Sequence, residues 1–335
     1  MRIVSCVAAA VVAFGGVGSA AAQGSGVVDP RCTDPSIVGA TLDGGDACQK
    51  VVDIFKYLNP QLGVLVTGGN ATLGQGGTLG GLGHFTVGLR VNVLRTSLPD
   101  VDAVGVDVGP AQSSAYPSDK QLAPLPVVDA SIGILKGIPL GITRLGGLDL
   151  LLSAFYVPEF STNGLDVTTP ESSLKVGYGA RLGVLQESAI VPGVSVTWFR
   201  RDLPTLAMRG NVEDDTVSLS SMRLNTTAWR VVVSKNLLLL GLAAGVGRDN
   251  YHTTTSVTYV VHDGGVVTRP AAPIPLEEDP WRTNAFLDVT LNLPVFKVLG
   301  EVGRVSGGDL KTFNTFDPDP NATRYYGTLG FRVQF

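Results

Sequence analysis

The final twelve residues, Arg324 to Phe335, read RYYGTLGFRVQF and alternate between two kinds of side chain. One face carries Tyr325, Gly327, Leu329, Phe331, Val333 and Phe335. The other face carries Arg324, Tyr326, Thr328, Gly330, Arg332 and Gln334. A period of two indicates a β-strand with one apolar face and one polar face. The stretch is therefore a predicted strand that ends on an aromatic residue.

The same alternation recurs along the chain, and it predicts ten strands. Clear examples are GHFTVGLRVNVLRT from Gly83, SLKVGYGARLGVL from Ser173 and TNAFLDVTLNL from Thr283, with Phe286 the one apolar residue on the polar face of its strand. The predicted strands lie near residues 82–96, 127–136, 147–157, 174–185, 194–203, 223–234, 237–249, 282–292, 297–305 and 324–335. The connections between them alternate between short and long, as in bacterial outer-membrane barrels, which have short periplasmic turns and long external loops.

The apolar faces are predicted to meet lipid and not a protein core. Aromatic residues gather near strand ends, as the girdles of membrane barrels require: Tyr156, Phe160, Trp198, Trp229, Tyr251, Trp281 and Tyr325. A soluble sandwich is the alternative, with the apolar faces turned inward. In lipid, an open sheet would leave unpaired backbone groups at its edges, so the wall must close and the last strand must pair with the first.

The predicted fold is thus all-β, a transmembrane antiparallel up-and-down β-barrel of ten strands. Twelve strands result if QLGVLVTGG (residues 61–69) and part of TTTSVTYVVHDGGVV (residues 253–267) also join the wall. The barrel would occupy residues 82–335.

The N-terminus reads as a secretory signal peptide over residues 1–22. It has one charge, Arg2, then an apolar run, then Ala20 to Ala22 before the predicted cleavage site. Cys6 lies inside this run and would leave with it. We expect an exported protein of the outer membrane.

Residues 23–81 form a separate predicted segment that either plugs the lumen or extends into the periplasm. Cys32 and Cys48 are predicted to form a disulfide, because exported thiol pairs meet an oxidising compartment. DACQKVVDIFKYL, from Asp46, resembles a helix, and a glycine-rich run follows it. Glycine can pack closely inside a narrow barrel, which favours the plug.

The polar faces predict a charged lumen lining. Its members carry both signs of charge and one amide: Arg90, Asn92, Asp129, Asp149, Lys175, Arg181, Asp288, Lys297, Glu301 and Arg332. Such a lining serves either a selective conduit or a lumen packed shut by ion pairs. The formal net charge of −4 and the lack of a basic patch interleaved with aromatics exclude nucleic acid as a partner.

The closing strand resembles the C-terminal strand of Gram-negative outer-membrane β-barrel proteins. That strand is read by the barrel assembly machinery through a terminal aromatic and alternate hydrophobic residues, which here are Tyr325, Leu329, Phe331, Val333 and Phe335. The resemblance implies that assembly machinery and outer-membrane lipid are partners. YLNPQLGVL, with Asn59 and Pro60, is loosely similar to the long-chain fatty-acid transporter family, whose members have an N-terminal hatch.

The external loops hold weaker candidates. Asp100 and Asp102 with His262 and Asp263 suggest the outer-membrane proteases, but that family pairs its residues as Asp-x-His, and here the order is His-Asp. LEEDP (residues 276–280) and FDPDPNAT (residues 316–323) could offer oxygen ligands to calcium, although solvated turns explain them more simply. We predict no metal, no cofactor and no enzymatic activity.

The expected function is a passive channel or transporter of small or hydrophobic solutes. The alternatives are a structural or surface-binding barrel with a closed lumen and, less favoured, an outer-membrane hydrolase.

Overall fold

The structure is a computed structural model that describes residues 27–335, apart from 71, 102, 163–164, 213–214 and 264. The predicted signal peptide lies outside these residues. Ten long strands form the barrel wall: β1 (Phe85–Pro99), β2 (Ser118–Leu135), β3 (Gly147–Tyr156), β4 (Leu174–Leu185), β5 (Gly193–Asp202), β6 (Asp215–Leu237), β7 (Leu240–Asp263), β8 (Trp281–Asn292), β9 (Lys297–Ser306) and β10 (Arg324–Gln334).

Each wall strand pairs antiparallel with the strands before and after it, and β10 pairs with β1. In that closing pair Thr86 lies opposite Gln334, and Leu94 lies opposite Tyr326. The backbones of Phe85 and Phe335 exchange both hydrogen bonds at the very end, at 3.2 and 2.9 Å. The predicted ten-stranded antiparallel barrel is therefore confirmed, and so is the predicted partner of the closing strand.

The twelve-strand alternative is wrong. Residues 253–263 lengthen β7 instead of forming a new wall strand, and Val266–Thr268 folds back against the end of β7. Residues 61–67 belong to a helix. This stretch is enclosed by protein on all sides, so its β-branched residues do not need a sheet to be buried.

The remaining elements are short, with one exception. They are a 3₁₀ turn at Pro30–Thr33, α1 (Pro35–Val38), α2 (Gly45–Thr67), and strands at Ala115–Tyr116, Ile138–Leu140, Thr143–Leu145, Phe160–Thr162, Leu165–Thr168, Leu206–Val212, Val266–Thr268, Ile274–Glu278 and Thr315–Phe316. Within the described part of the chain, no helix has both the length and the apolar character needed to cross a membrane.

The outward face of the wall is apolar and exposed. In β4, for example, Leu174, Val176 and Leu182 are 55, 58 and 49 % exposed, while alternate residues such as Arg181 are fully buried. Exposed aromatics mark one end of this face at Trp229, Trp281 and Tyr325. At the other end the rings of Phe85 and Phe335 stack with centroids 4.8 Å apart. These are the apolar band and the two aromatic girdles of a membrane barrel. The prediction that Tyr251 belongs to a girdle is wrong, because its side chain points inward and is fully buried.

The two rims of the barrel differ. Short connections link β2 to β3, β4 to β5, β6 to β7 and β8 to β9 at one rim, where β1 also begins and β10 ends. The long connections, and the tall ends of β6 and β7, lie at the other rim. Since short turns of outer-membrane barrels face the periplasm, we name these the periplasmic rim and the external rim.

Glycines on the inward face receive aromatic rings from the neighbouring strand. Gly245 lies opposite Phe286, and a Cβ at Gly245 would overlap the Phe286 ring. The ring of Tyr326 covers Gly303 in the same way. Phe286, the apparent exception in its strand, is thus an inward residue that needs a glycine opposite it.

Candidate functional site: the plugged lumen

Helix α2 fills the external half of the lumen. Its 23 residues span about 35 Å at 1.5 Å per residue, and 20 of them are buried. Apolar side chains such as Val51, Val52 and Phe55, each at most 1 % exposed, pack into a continuous core with the external loops. The predicted disulfide between Cys32 and Cys48 is confirmed and ties the chain before the helix to its first turn.

The helix is longer than its sequence suggested. The helical pattern was predicted over residues 46–58, but α2 continues through Pro60 to Thr67. Proline removes one backbone donor inside a helix, a cost that packing on every side offsets here. Asn59, of the pair resembling the fatty-acid transporters, is fully buried in mid-helix and accepts a hydrogen bond of 2.6 Å from Thr253 Oγ1.

Residues 68–84, which we call the lower segment, run from the end of α2 to the periplasmic rim, and those that the structure describes have no regular secondary structure. Their backbone donors would be unsatisfied inside the lumen, so the wall must provide acceptors. Gly74 N donates to Asp288 Oδ2 at 2.8 Å, Gly76 N to Ser234 Oγ at 2.7 Å and Leu79 N to Asp149 Oδ1 at 3.1 Å. Polar wall side chains therefore replace the hydrogen bonds that a helix would make for itself.

The wall also provides donors to the carbonyl groups of this part of the chain. Gly68 O accepts from Asn92 Nδ2 at 2.5 Å and from Arg90 Nη1 at 3.1 Å. Leu73 O accepts from Arg332 Nη1 at 3.0 Å, and Val66 O from Arg201 Nη1 at 3.0 Å. Arginine suits this position because it presents several donors in a fixed plane.

Ion pairs within the wall hold these side chains in place. Arg181 Nη2 lies 2.5 Å from Asp149 Oδ2, and both side chains are fully buried. Arg90 pairs with Asp129 on the next strand, and Arg230 pairs with Asp249. A buried ion pair needs further hydrogen bonds to offset desolvation. The lower segment supplies one, since Leu79 N also donates to Asp149.

Asp288 and Glu301 face each other across β8 and β9, and both are at most 2 % exposed. One oxygen of each binds the lower segment: Glu301 Oε2 accepts from Asn70 N at 3.0 Å, and Asp288 accepts from Gly74 N. Their other oxygens accept no hydrogen bond from the described residues. These two carboxylates thus hold the lower segment from one side.

The lower segment ends at the periplasmic rim. Thr78 N and Oγ1 both donate to Gln186 Oε1, at 3.0 and 2.9 Å, in the turn after β4. A cavity of about 20 Å³ lies between Leu73 and the wall, which is room for about one water molecule. A larger, open cavity of about 350 Å³ lies beside Gly74 and Thr78 at the periplasmic rim. The lumen is therefore occupied along its length, by α2 above and by the lower segment below.

The structure brings most of the predicted lumen residues together. Eight of the ten contact the lower segment or a wall partner that does: Arg90, Asn92, Asp129, Asp149, Arg181, Asp288, Glu301 and Arg332. Lys297 lies at the periplasmic rim and donates to Gln334 Oε1 at 3.2 Å. Lys175 is half-buried near the external end of β4.

Sequence reasoning missed several side chains that do the same work: Gln186, Arg201, Arg230, Ser234 and Asp249. The signal for Arg230 and Ser234 was present, because both share the inward parity of β6 with Thr226 and Val232. Arg201 was hidden by the adjacent Arg200, which is partly exposed on the outward face.

Residues 27–44 and the long connections form a cap over α2 at the external rim. Asp46 accepts from Asp107 N and Gln112 N at 2.9 and 3.0 Å. Asp29 pairs with Arg31 at 2.8 Å. Burial alone would raise the pKa of Asp29, but the hydrogen bonds and charge of Arg31 outweigh it and lower that pKa. At Glu278, on a strand beside the cap, burial dominates and raises the pKa.

The weaker candidates of the external loops stay apart from this site. His262 Nδ1 lies 3.6 Å from Asp215 Oδ1, on the neighbouring strand. Asp100 begins the connection after β1, while Asp102 and the Asp263 side chain lie outside what the structure describes. Asp319 accepts from Asn321 N at 2.6 Å, a turn contact. Among the described residues, no group of three or more His, Cys, Asp or Glu side chains could hold a metal ion.

The predicted assembly signal occupies the outward face of β10. Tyr325, Leu329, Phe331 and Phe335 are 59, 67, 44 and 61 % exposed, and Val333 has the same parity. This row forms part of the apolar belt next to the closing seam with β1.

Comparison with known proteins gives only distant likenesses. No protein-family model and no curated protein matches the sequence. The translocator domain of the autotransporter NalP from Neisseria meningitidis has a similar structure. The match covers 75 % of this chain and 88 % of the NalP chain, with 8 % identity and a TM-score of 0.39. A deletion mutant of TodX, a monoaromatic hydrocarbon channel, matches over 81 % of this chain and 74 % of the TodX chain, with 11 % identity and a TM-score of 0.33. The transport unit of the autotransporter AIDA-I from Escherichia coli matches over 86 % of this chain and 98 % of the AIDA-I chain, with 9 % identity and a TM-score of 0.33.

These similarities are too low to indicate a function, and the type of protein follows instead from the geometry of the barrel. The wall closes on itself, its outward face is apolar, and aromatic girdles bound that face at both ends. In hydrocarbon a closed sheet pairs every backbone group of the wall. The chain is therefore a ten-stranded transmembrane β-barrel of the outer-membrane type, with its own N-terminal segment in the lumen.

Proposed function

We propose that the protein is an outer-membrane channel or transporter for small polar solutes, and that the lower segment keeps it closed. The observation that carries this proposal is the way in which the lower segment is held. Its contacts with the wall are mostly hydrogen bonds to polar side chains, such as those of Asp288, Ser234 and Arg332. Water can replace hydrogen bonds of this kind, so the segment can leave the wall without exposing a large apolar surface.

The wall that remains after such a movement would be a polar passage. Arg90, Asp149, Arg181 and Glu301 would line it with both signs of charge. Side chains of this kind tune the selectivity of a pore and favour hydrated solutes. The polar lining supports small polar solutes more strongly than hydrophobic ones.

A closed structural or surface-binding barrel is the second candidate, and a specific observation favours it. Helix α2 is held by apolar packing and by the cap, so it has no easy way to move. If α2 alone blocks the bore, then movement of the lower segment would not open it. Neither candidate assigns a catalytic role to the external loops, and we propose that the protein is not an enzyme.

Conductance in planar lipid bilayers separates these two functions. The wild-type barrel should be closed for most of the time, with brief openings. A variant lacking residues 70–80 should open more often and for longer than wild type, because the periplasmic half of the lumen loses its filling and only α2 remains in the bore. The matched control is Arg200→Ala, which removes a partly exposed ion pair with Asp202 on the outward face and should conduct like wild type.

The folded state of each variant is checked first by its heat-modifiable mobility on a gel. A deletion variant that is folded and yet silent would overturn transport and support the closed barrel. Solute preference is then measured by swelling of liposomes in sugars and in amino acids of either charge.

A further inference from the structure

The N-terminal segment has a fixed direction through the barrel. Near the start of the segment, Ile37 O accepts a hydrogen bond from Ala271 N at 3.2 Å, and Asp46 N donates one to Gly109 O at 3.0 Å. Ala271 and Gly109 both belong to long external connections. Asp53 then accepts from Asn314 N at 2.8 Å, on another external connection. All three contacts lie at the external rim.

Later residues contact lower parts of the wall, in order. Thr67 Oγ1 donates to Asp249 Oδ2 at 3.1 Å, in the middle of β7. Gly74 meets Asp288 in β8, Thr78 meets Gln186 in a periplasmic turn, and Gly81 packs on Lys136 at the periplasmic rim. The chain therefore enters the lumen from outside and leaves it on the periplasmic side, where β1 begins.

The external position of residues 27–67 requires that this segment cross the outer membrane. The predicted signal peptide delivers the chain to the periplasm, and β1 begins and β10 ends at the periplasmic rim. Residues 27–67 must nevertheless reach the external half of the lumen and the external rim. Between the two rims, the outward face of the wall is apolar while the lumen is polar.

The segment itself is not suited to crossing lipid. α2 has charged and amide side chains along its length, including Asp46, Lys50, Asp53 and Gln61, and each of them is bonded to the helix, the cap or the inner wall. Charged side chains without such partners are costly inside a bilayer. A polar lumen wide enough for a helix, about 10–12 Å across, offers the route that lipid does not.

We propose that the barrel carries its own N-terminal polypeptide outward through the lumen and presents it at the cell surface. The substrate of this activity is an unfolded or helical stretch of its own chain, residues 27–67, which moves through the lumen as the seam between β1 and β10 closes. The cap then folds outside and holds the helix in place. This activity is independent of whether the finished barrel conducts solutes.

The topology is tested with single cysteines and a membrane-impermeant maleimide on intact cells. Val27→Cys should be labelled, since Val27 is 69 % exposed at the external rim. Ser172→Cys, in the external connection before β4, is the positive control. Leu238→Cys, 96 % exposed in the turn between β6 and β7, should be labelled only after permeabilisation. The native Cys32 and Cys48 form a buried disulfide and give no background.

Labelling of Val27→Cys only in permeabilised cells, with Ser172→Cys labelled in intact cells, would overturn the proposal. The route is tested by placing a small domain locked by its own disulfide directly before residue 27, against a cysteine-free version that stays unfolded. A folded domain is wider than a helix, so the locked form should remain on the periplasmic side while the unfolded form reaches the surface. Equal surface exposure of both forms would exclude passage through the lumen.

Discussion

The two halves of the lumen are filled by different means. In the external half, α2 makes its own backbone hydrogen bonds, so apolar side chains such as Phe55 and Val52 can fill the space around it. In the periplasmic half, the lower segment has no regular structure, and wall side chains such as Asp149 and Arg332 bond to its backbone. Regular structure allows an apolar filling, whereas irregular backbone requires a polar one. The charges of the wall are thus a consequence of what lies inside it.

The strongest test of this difference removes a charge beneath the lower segment. Asp149→Ala would leave Arg181 buried without its partner, which costs about 3–5 kcal/mol. Leu79 N would lose its acceptor as well. We expect the largest loss in the free energy of unfolding here, measured by urea titration in lipid vesicles.

Two variants sharpen the result for Asp149. Arg200→Ala breaks an ion pair that is partly exposed on the outward face and should cost about 0–1 kcal/mol. Asp149→Ala combined with Arg181→Met removes both charges and should recover much of the loss. If the single and double variants are equally unstable, the pair is not what holds this part of the lumen.

A second test truncates one apolar side chain in each half. Phe55→Ala opens a cavity in the core around α2 and should cost about 3–5 kcal/mol. Leu73→Ala, in the lower segment, should cost about 2 kcal/mol, the low end for a buried leucine, because it already borders a small cavity. The same urea titration measures both. Equal losses would mean that apolar packing holds the lower segment too.

The sequence could predict the wall because a period of two depends on local pattern alone. It placed strand ends less well, and β2 shows why. The prediction began this strand at residue 127, just after Pro124 and Pro126, and a proline lacks a backbone donor for the ladder. In the structure β2 begins at Ser118, because its pairing with β3 stops at Val127 and the prolines lie beside a free edge. Only the tertiary neighbour decides whether a proline is tolerated.

The contents of the lumen were less accessible. The inward charges could be read from parity, as for Arg90 and Glu301, but their partners could not. The lower segment has no periodicity, so nothing in its residues indicates which wall side chain meets which backbone group. The twelve-strand alternative placed residues 61–69 in the wall, but residues 61–67 are helical, because burial inside the barrel overrides the strand preference of their β-branched side chains. The direction of the segment follows from these contacts alone.

The mildest test concerns a single glycine of the lower segment. Gly74 has a positive φ of 64°, and a Cβ there would overlap Thr290 Oγ1. Gly74→Ala should therefore cost about 1–3 kcal/mol, from backbone strain and from steric overlap together. Gly39 provides the control, because it has a φ of 97° and open space around its Cβ position, so Gly39→Ala reports backbone strain alone.

Conductance measurements on the Gly74→Ala variant test whether the lower segment controls channel opening. Because Gly74→Ala pushes the lower segment off the wall, it should raise the frequency of channel openings, and Gly39→Ala, in the external cap, should not. Adding Thr290→Ala to Gly74→Ala removes the overlap and should return the openings toward the wild-type frequency. If Gly74→Ala destabilises the protein but leaves the openings unchanged, the lower segment fills the lumen without controlling it, and the helix above it is then the true barrier.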